Sequence, residues 1–221
     1  ISREALSQGL YPFVTISRQV GAGGHSLAEA ILRELQKTTS SSFLKGWQII
    51  DHDMCKKILE DANLKVSMRA LLSKEYHSEI EDMVSELMGG WSPQYAVIKK
   101  IFGTVRTLAT FGKVIIVGRG GSCLTADLPL GIHIRLVASF PSRTKTLMKL
   151  MNLGEKEARA MVKERDKARA QLVKNYFNKD INDPLLYHAV WNTDKMSLDE
   201  IAATVVQMII RRSKQVPVPQ T

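Results

Sequence analysis

The chain has 221 residues, 44% of them hydrophobic, with 31 Lys and Arg against 22 Asp and Glu. That length suits one α/β domain and is too short for two ordinary ones, and the apolar share excludes a chain disordered over most of its length. A formal net charge of +9 favours anionic partners such as nucleotides, nucleic acid or acidic lipid, without choosing among them.

Pro12 precedes Phe13-Val14-Thr15-Ile16, a short run that predicts a buried strand. Ser17-Arg18-Gln19-Val20-Gly21-Ala22-Gly23-Gly24-His25-Ser26 follows directly. Leu27, Ile31 and Leu35 then recur at the spacing of an amphipathic helix ending near Gln36. After a Ser/Thr loop at Thr38–Ser42, Trp47–Ile50 predicts a second strand ending in Asp51-His52-Asp53. Residues 54 to about 112 read as mostly helical, with apolar spacing in Val66–Leu72, Ile80–Met88 and Val97–Leu108 and breaks at Gly89-Gly90 and Pro93. Val114–Val117 predicts a strand, closed by Gly118-Arg119-Gly120-Gly121, and Ile132–Val137 another. Pro141 suits the first turn of a helix to about Asn152. Glu155–Tyr176 predicts a highly charged helix and Tyr187–Trp191 a last short strand. Ser197-Leu198-Asp199-Glu200 is a capping box opening a final helix to about Arg212.

Five strand candidates alternating with helices predict a parallel sheet covered on both faces. Ligands of such sheets bind beyond the C-terminal strand ends, where the polar clusters of this chain fall. The strand–glycine–helix unit at 17–26 predicts phosphate binding. Main-chain N–H groups of Gly21, Ala22, Gly23, Gly24, His25 and Ser26 would approach the anion, helped by the helix dipole. Ser26 stands where a phosphate-loop hydroxyl meets magnesium. The literal pattern G-x-x-x-x-G-K-[ST] is absent, because no lysine occurs between Ser17 and Ser26. Arg18 and His25 are the local residues that could replace its charge. Arg18 could fork onto phosphate or form a salt bridge, and His25 could serve only as a helix-start residue. Asp51 could hold magnesium through water or contact an acceptor, while Asp53 suits a helix cap.

Arg119, set between glycines after a strand, would be open to a bound anion. Arg165 and Arg169, four apart, share a helix face. That helix carries no interleaved aromatics to stack bases, so nucleic acid is not the expected partner. Cys55 and Cys123 form no close pair and the five histidines no ligand spacing, so neither a zinc site nor a disulfide framework is expected. No signal-peptide pattern or membrane-length apolar run is visible, and a reducing cytoplasm fits the cysteine usage.

The segment Val14–Ser26 resembles the phosphate loop of the cytidylate kinase-like family, whose divergent members carry S-R-x-x-G-x-G-G. Ile50-Asp51-His52-Asp53, Val117-Gly118-Arg119-Gly120, Asp166-Lys167-Ala168-Arg169, Asn182-Asp183-Pro184 and Asn192-Thr193 match further short motifs in the same order. The resemblance implies a single P-loop kinase-like domain over 1–221, a three-layer α/β sandwich. Its core would be about 13–53 and 113–212, its helical acceptor insert about 54–112 and its lid about 152–180. It implies ATP and Mg2+ as cofactors and phosphoryl transfer to a nucleoside monophosphate or other small acceptor. Arg165 and Arg169 would act on the transferring group and Asp51 and Arg119 on the acceptor, with Arg18 the catalytic candidate to replace the lysine charge. Two departures from the family pattern keep a catalytically inactive nucleotide-binding module as the alternative: Gly24 holds the place of the phosphate-loop lysine, and Val117 that of an acidic residue.

Overall fold

In the computed structural model, residues 11–37, 44–51, 54 and 93–214 are described, with side chains from residue 98 onward in the last stretch. The expectations for Asp53 and for the helical spacing between 55 and 92 fall outside these residues.

Elements follow in the order β1 (Phe13–Arg18), α1 (Gly24–Lys37), β2 (Gln48–Ile50), α2 (Pro93–Phe111), β3 (Val114–Val117) and α3 (Gly121–Leu124). After these come β4 (Gly131–Val137), α4 (Phe140–Met151), α5 (Glu155–Phe177), β5 (Ala189–Asn192) and α6 (Leu198–Ser213). The five strands form one parallel sheet in the order β2-β3-β1-β4-β5. Central strand β1 has its register fixed by Thr15 opposite Ile116 on one side and His133 on the other. The chain leaves β1 toward one sheet edge and later returns past it toward the other. A crevice therefore opens beyond its C-terminal end.

Strand alternation sorts the side chains of β1 to two cores. Val14 and Ile16 face Leu27, Ile31 and Leu35 of α1 and Ile201, Val205 and Ile209 of α6, all buried. Phe13 faces the opposite layer, where Phe102 and Val105 of α2 and Leu124 of α3 pack with Tyr176 and Phe177 from the end of α5. The start of α5 belongs to a third cluster, in which Ala158 and Val162 meet Leu147 of α4 and Val20 of the glycine loop. One 23-residue helix thus reaches from the loop after β1 to the core beneath β3.

Local signals explain most boundaries. The Ser197 side chain accepts from Glu200 N–H and Glu200 Oε2 accepts from Ser197 N–H, so the predicted capping box opens α6. Ser139 caps α4, with Pro141 in its first turn. Pro93, expected as a break, is the first residue of α2, where a missing N–H costs nothing. Strand β1 runs two residues beyond the predicted Ile16, because Ser17 and Arg18 still pair with Arg135 and Leu136. Among the described residues no helix is long and apolar enough to cross a membrane.

Candidate functional site

The glycine loop is held from three sides. Gln19 N–H donates to Leu136 O at 3.0 Å, and Gln19 Oε1 accepts from Ala138 N–H at 3.0 Å. Gly21 has φ +80, and a Cβ there would stand 2.6 Å from Arg143 O. Gly23 has φ +82, and a Cβ there would stand 3.1 Å from Leu198 Cδ1. Both positions need glycine for backbone conformation and for the elements pressed against them. The first bond of α1 runs from Leu27 N–H to Gly23 O at 2.8 Å. Helix geometry leaves the N–H groups of Gly24, His25 and Ser26 ahead of it without an intrahelical acceptor.

Arg18 leaves the end of β1 and passes both glycine clusters. A Cβ on Gly24 would lie 2.8 Å from Arg18 Cγ and 3.1 Å from Cδ. One on Gly118 would collide with Arg18 Nη1. Burial, then the charges of Arg169 and Arg119, lower its pKa to about 9, with Asp51 opposing them. The guanidinium therefore stays protonated at neutral pH while repelled by its neighbours.

Beyond β1 and β3 lies a cavity of about 230 Å³, with Arg18, Arg119 and Arg169 in its wall beside Ser17, Ser122 and Tyr187. Gly118, Arg119 and Gly120 have φ values of +88, +60 and +63, three left-handed residues in succession. Such a conformation is costly for arginine and turns its side chain toward the cavity that it lines. Arg119 Nε and Arg169 Nη1 are buried with no hydrogen-bond partner among the described residues. Asp166 stands 3.8 Å from that Nη1. The Arg169 pKa is lowered, first by burial and then by Arg165, Arg119 and Arg135, against Asp166. Buried donors without acceptors beside like charges are what an anion would satisfy.

Residues far apart in sequence fix this wall. Arg135, buried in β4, donates from Nη1 to Ser17 Oγ at 2.9 Å and from Nη2 to Asn182 Oδ1 at 3.0 Å. Tyr187 Oη donates to Ile181 O at 2.9 Å and lies 3.3 Å from Ser17 Oγ. Asp166 latches α5 to the loop: Oδ1 accepts from Val20 N–H at 2.8 Å and Oδ2 from Arg143 Nη1 at 2.5 Å. Arg143, itself buried, also donates from Nε to Ala138 O and from Nη1 to Val20 O.

Of the residues singled out in the sequence, Arg18, Arg119 and Arg169 come together. Arg165 is exposed one turn away from Arg169 and does not line the cavity. His25 and Ser26 are exposed in the first turn of α1. The His25 ring lies 3.5 Å from Glu29 and 3.8 Å from Asp51, which brings Asp51 to that helix start. Asp51 Oδ1 also accepts from Met54 N–H at 2.9 Å, a bond of the capping kind expected of Asp53. Among the described residues no group of three or more His, Cys, Asp or Glu gathers as a metal site, but magnesium commonly takes one or two protein oxygens and completes its shell with phosphate and water, and Ser26 and Asp51 carry oxygens of that kind.

Sequence reading missed Arg135, Tyr187 and the Arg143–Asp166 latch. Arg135 carried one available signal, a charged residue inside an apolar central strand, and a buried arginine has to be paired.

The profile of the cytidylate kinase-like family matches residues 13–195. Among solved structures, an uncharacterized protein from Eubacterium ventriosum superposes with a TM-score of 0.69 at 19% identity, covering 90% of this chain and 98% of that one. A shikimate kinase from Bacteroides thetaiotaomicron gives a TM-score of 0.48 at 14% identity, with 90% and 98% covered. No curated protein sequence matches.

Proposed function

The chain belongs to the cytidylate kinase-like family, and from that premise we propose that it is an ATP-dependent phosphotransferase acting on a nucleoside monophosphate or a similar small phosphorylated acceptor. The observation that carries this reading is the cavity in whose wall Arg18, Arg119 and Arg169 converge, next to a glycine loop at a helix N-terminus. One end supplies main-chain donors for a polyphosphate, and the other supplies cations for a second anion.

In this reading the N–H groups of the loop hold the donor phosphates. Ser26 and Asp51 would hold magnesium, which supplies charge neutralisation across them. Arg119 holds the acceptor, fixed in direction by its left-handed backbone. Arg169, on a helix latched to the loop through Asp166, faces the group in flight, and α5 serves as the lid. An acceptor phosphate oxygen forms the new P–O bond while the bond from the γ-phosphorus to the β–γ bridging oxygen breaks and leaves ADP. A dianionic acceptor phosphate carries no proton to remove, so no general base is required of the chain. Catalysis then consists of positioning and charge stabilisation.

Calorimetry with ATP and a panel of nucleoside monophosphates, with and without magnesium, tests this directly. Arg119→Ala is expected to weaken a monophosphate at least tenfold and ATP far less. Equal loss for both ligands would remove Arg119 from the acceptor side. Gly24 and Val117, at the places of a lysine and an acid in the family pattern, favour one second reading: a binding module of the same fold that performs no transfer. It predicts nucleotide binding with no turnover.

A further inference from the structure

We propose that Arg18 is the cation this phosphate loop presents in place of a lysine at position 24, and that Gly24 and Gly118 are glycines because Arg18 runs between them. The proposal rests on the phosphate-loop reading above and deepens it.

A phosphate-loop lysine starts in the first turn of the helix and reaches the β- and γ-phosphates. At position 24 that start is taken. The point where a Cβ would begin lies 2.8 Å from Arg18 Cγ, 3.1 Å from Cδ and 3.3 Å from Nε. Three successive atoms of one stem thus run past it, and a lysine could not leave the backbone without displacing them. At its other end the guanidinium lies against Gly118, where a Cβ would meet Nη1. Arg18 therefore spans from the helix N-terminus to the turn after β3, and its charge stands between the loop and the cavity of Arg119 and Arg169. Among the described residues its guanidinium makes no hydrogen bond and no ion pair. The other nearby candidate, His25, points its ring at Glu29 and Asp51 and is more than half exposed.

The exchange changes the chemistry as well as the position. A lysine offers a compact, mobile point charge, whereas a planar guanidinium can take two oxygens at once. Anchored at the end of a central strand, Arg18 can contact donor and acceptor phosphates in one geometry.

The test is calorimetry with Mg-ATP and with inorganic pyrophosphate on wild type, Arg18→Ala, Gly24→Lys and the double variant Arg18→Ala/Gly24→Lys, with thermal melts to verify folding. Loss of charge-assisted hydrogen bonds to phosphate should cost Arg18→Ala about 10- to 100-fold in affinity. Its melting temperature should stay level or rise, since a repelled charge is removed. The double variant should regain at least tenfold over Arg18→Ala, because the lysine now has room. These two variants decide the matter whether or not Gly24→Lys alone folds. Wild-type affinity in Arg18→Ala, or no recovery in a folded double variant, would overturn the exchange while leaving the loop assignment intact. Failure of wild type to bind either probe would instead overturn the loop assignment itself, and the exchange with it.

Discussion

Asp166→Ala is expected to destabilise the protein by about 3 kcal/mol, more than any exposed ion pair contributes. Arg143 is 8% exposed and Asp166 27%, with 2.5 Å between them. Breaking a buried pair costs about 3–5 kcal/mol because one charge is left without its partner. Two features pull the figure to the low end: Asp166 is a quarter open to water, and Arg143 keeps the carbonyls of Ala138 and Val20. The lost acceptor of Val20 N–H restores about 1 kcal/mol. For a chain of this size 3 kcal/mol corresponds to roughly 6–12 °C in melting temperature. Asp166→Asn keeps an oxygen for Val20 N–H and should lose about half as much. The assay is urea unfolding at pH 7 with the thermal midpoint as a second probe. A loss under 1 kcal/mol for Asp166→Ala, or the same loss for both variants, would refute the latch as a stabilising link between α5 and the loop.

Stability should also fall as the solution is acidified from pH 7 to 4. Burial first, then His188 and Arg212, lower the His133 pKa to about 4, so between that value and its unfolded pKa near 6.5 the unfolded chain binds the extra proton. The stabilisation is fully present above pH 6.5 and is lost toward pH 4, by about 3 kcal/mol in all, and His133→Gln should flatten the profile. An equally steep profile in that variant would remove His133 as the cause. Gly120→Ala should cost about 2–3 kcal/mol, because its Cβ would sit 2.5 Å from Phe177 Cε2 at φ +63. Gly46→Ala, at φ +83 with nothing within 4 Å, should carry only the backbone cost of about 1 kcal/mol. Similar losses in the two would contradict the packing against Phe177. Arg169→Ala should reduce turnover by more than Arg165→Ala, since only Arg169 lines the cavity; steady-state rates that rank the other way would place Arg165 at the reacting group.

Much of this architecture was legible in the sequence because its signals are local. The strand–glycine–helix unit, the capping box at Ser197 and Glu200, and the arginine between two glycines after β3 each occupy a few adjacent residues. Apolar spacing located the bodies of these helices but not their starts, since α1 begins at Gly24 ahead of Leu27 and α2 at Pro93 ahead of Val97. Signals that depend on distant partners were not legible. Nothing near Gly24 or Gly118 in the chain announces that one side chain, Arg18, fills the room of both. Asp166 sits in a short motif on a highly charged helix, and nothing near it in the chain shows that it holds Val20 N–H 146 positions earlier. The pairing of Arg135 with Ser17 and Asn182 likewise spans 118 and 47 positions. Asp51 stands out in the sequence by its place after a strand and by the Ile50–Asp53 motif; its bond to Met54 N–H is a three-residue pattern equally available to any Asp ahead of a helix start.

Transfer of a phosphoryl group by this fold without a phosphate-loop lysine can be followed at the γ-phosphate of ATP by phosphorus NMR. Purified wild type and Arg169→Ala are each incubated with magnesium and every nucleoside monophosphate in turn. ADP and one nucleoside diphosphate are expected to appear together with wild type. The rate should be about 10²- to 10³-fold lower in Arg169→Ala, with ATP affinity changed only a fewfold. Bound ATP that remains unconsumed by wild type across the whole panel would rule out transfer and identify the chain as a nucleotide-binding module.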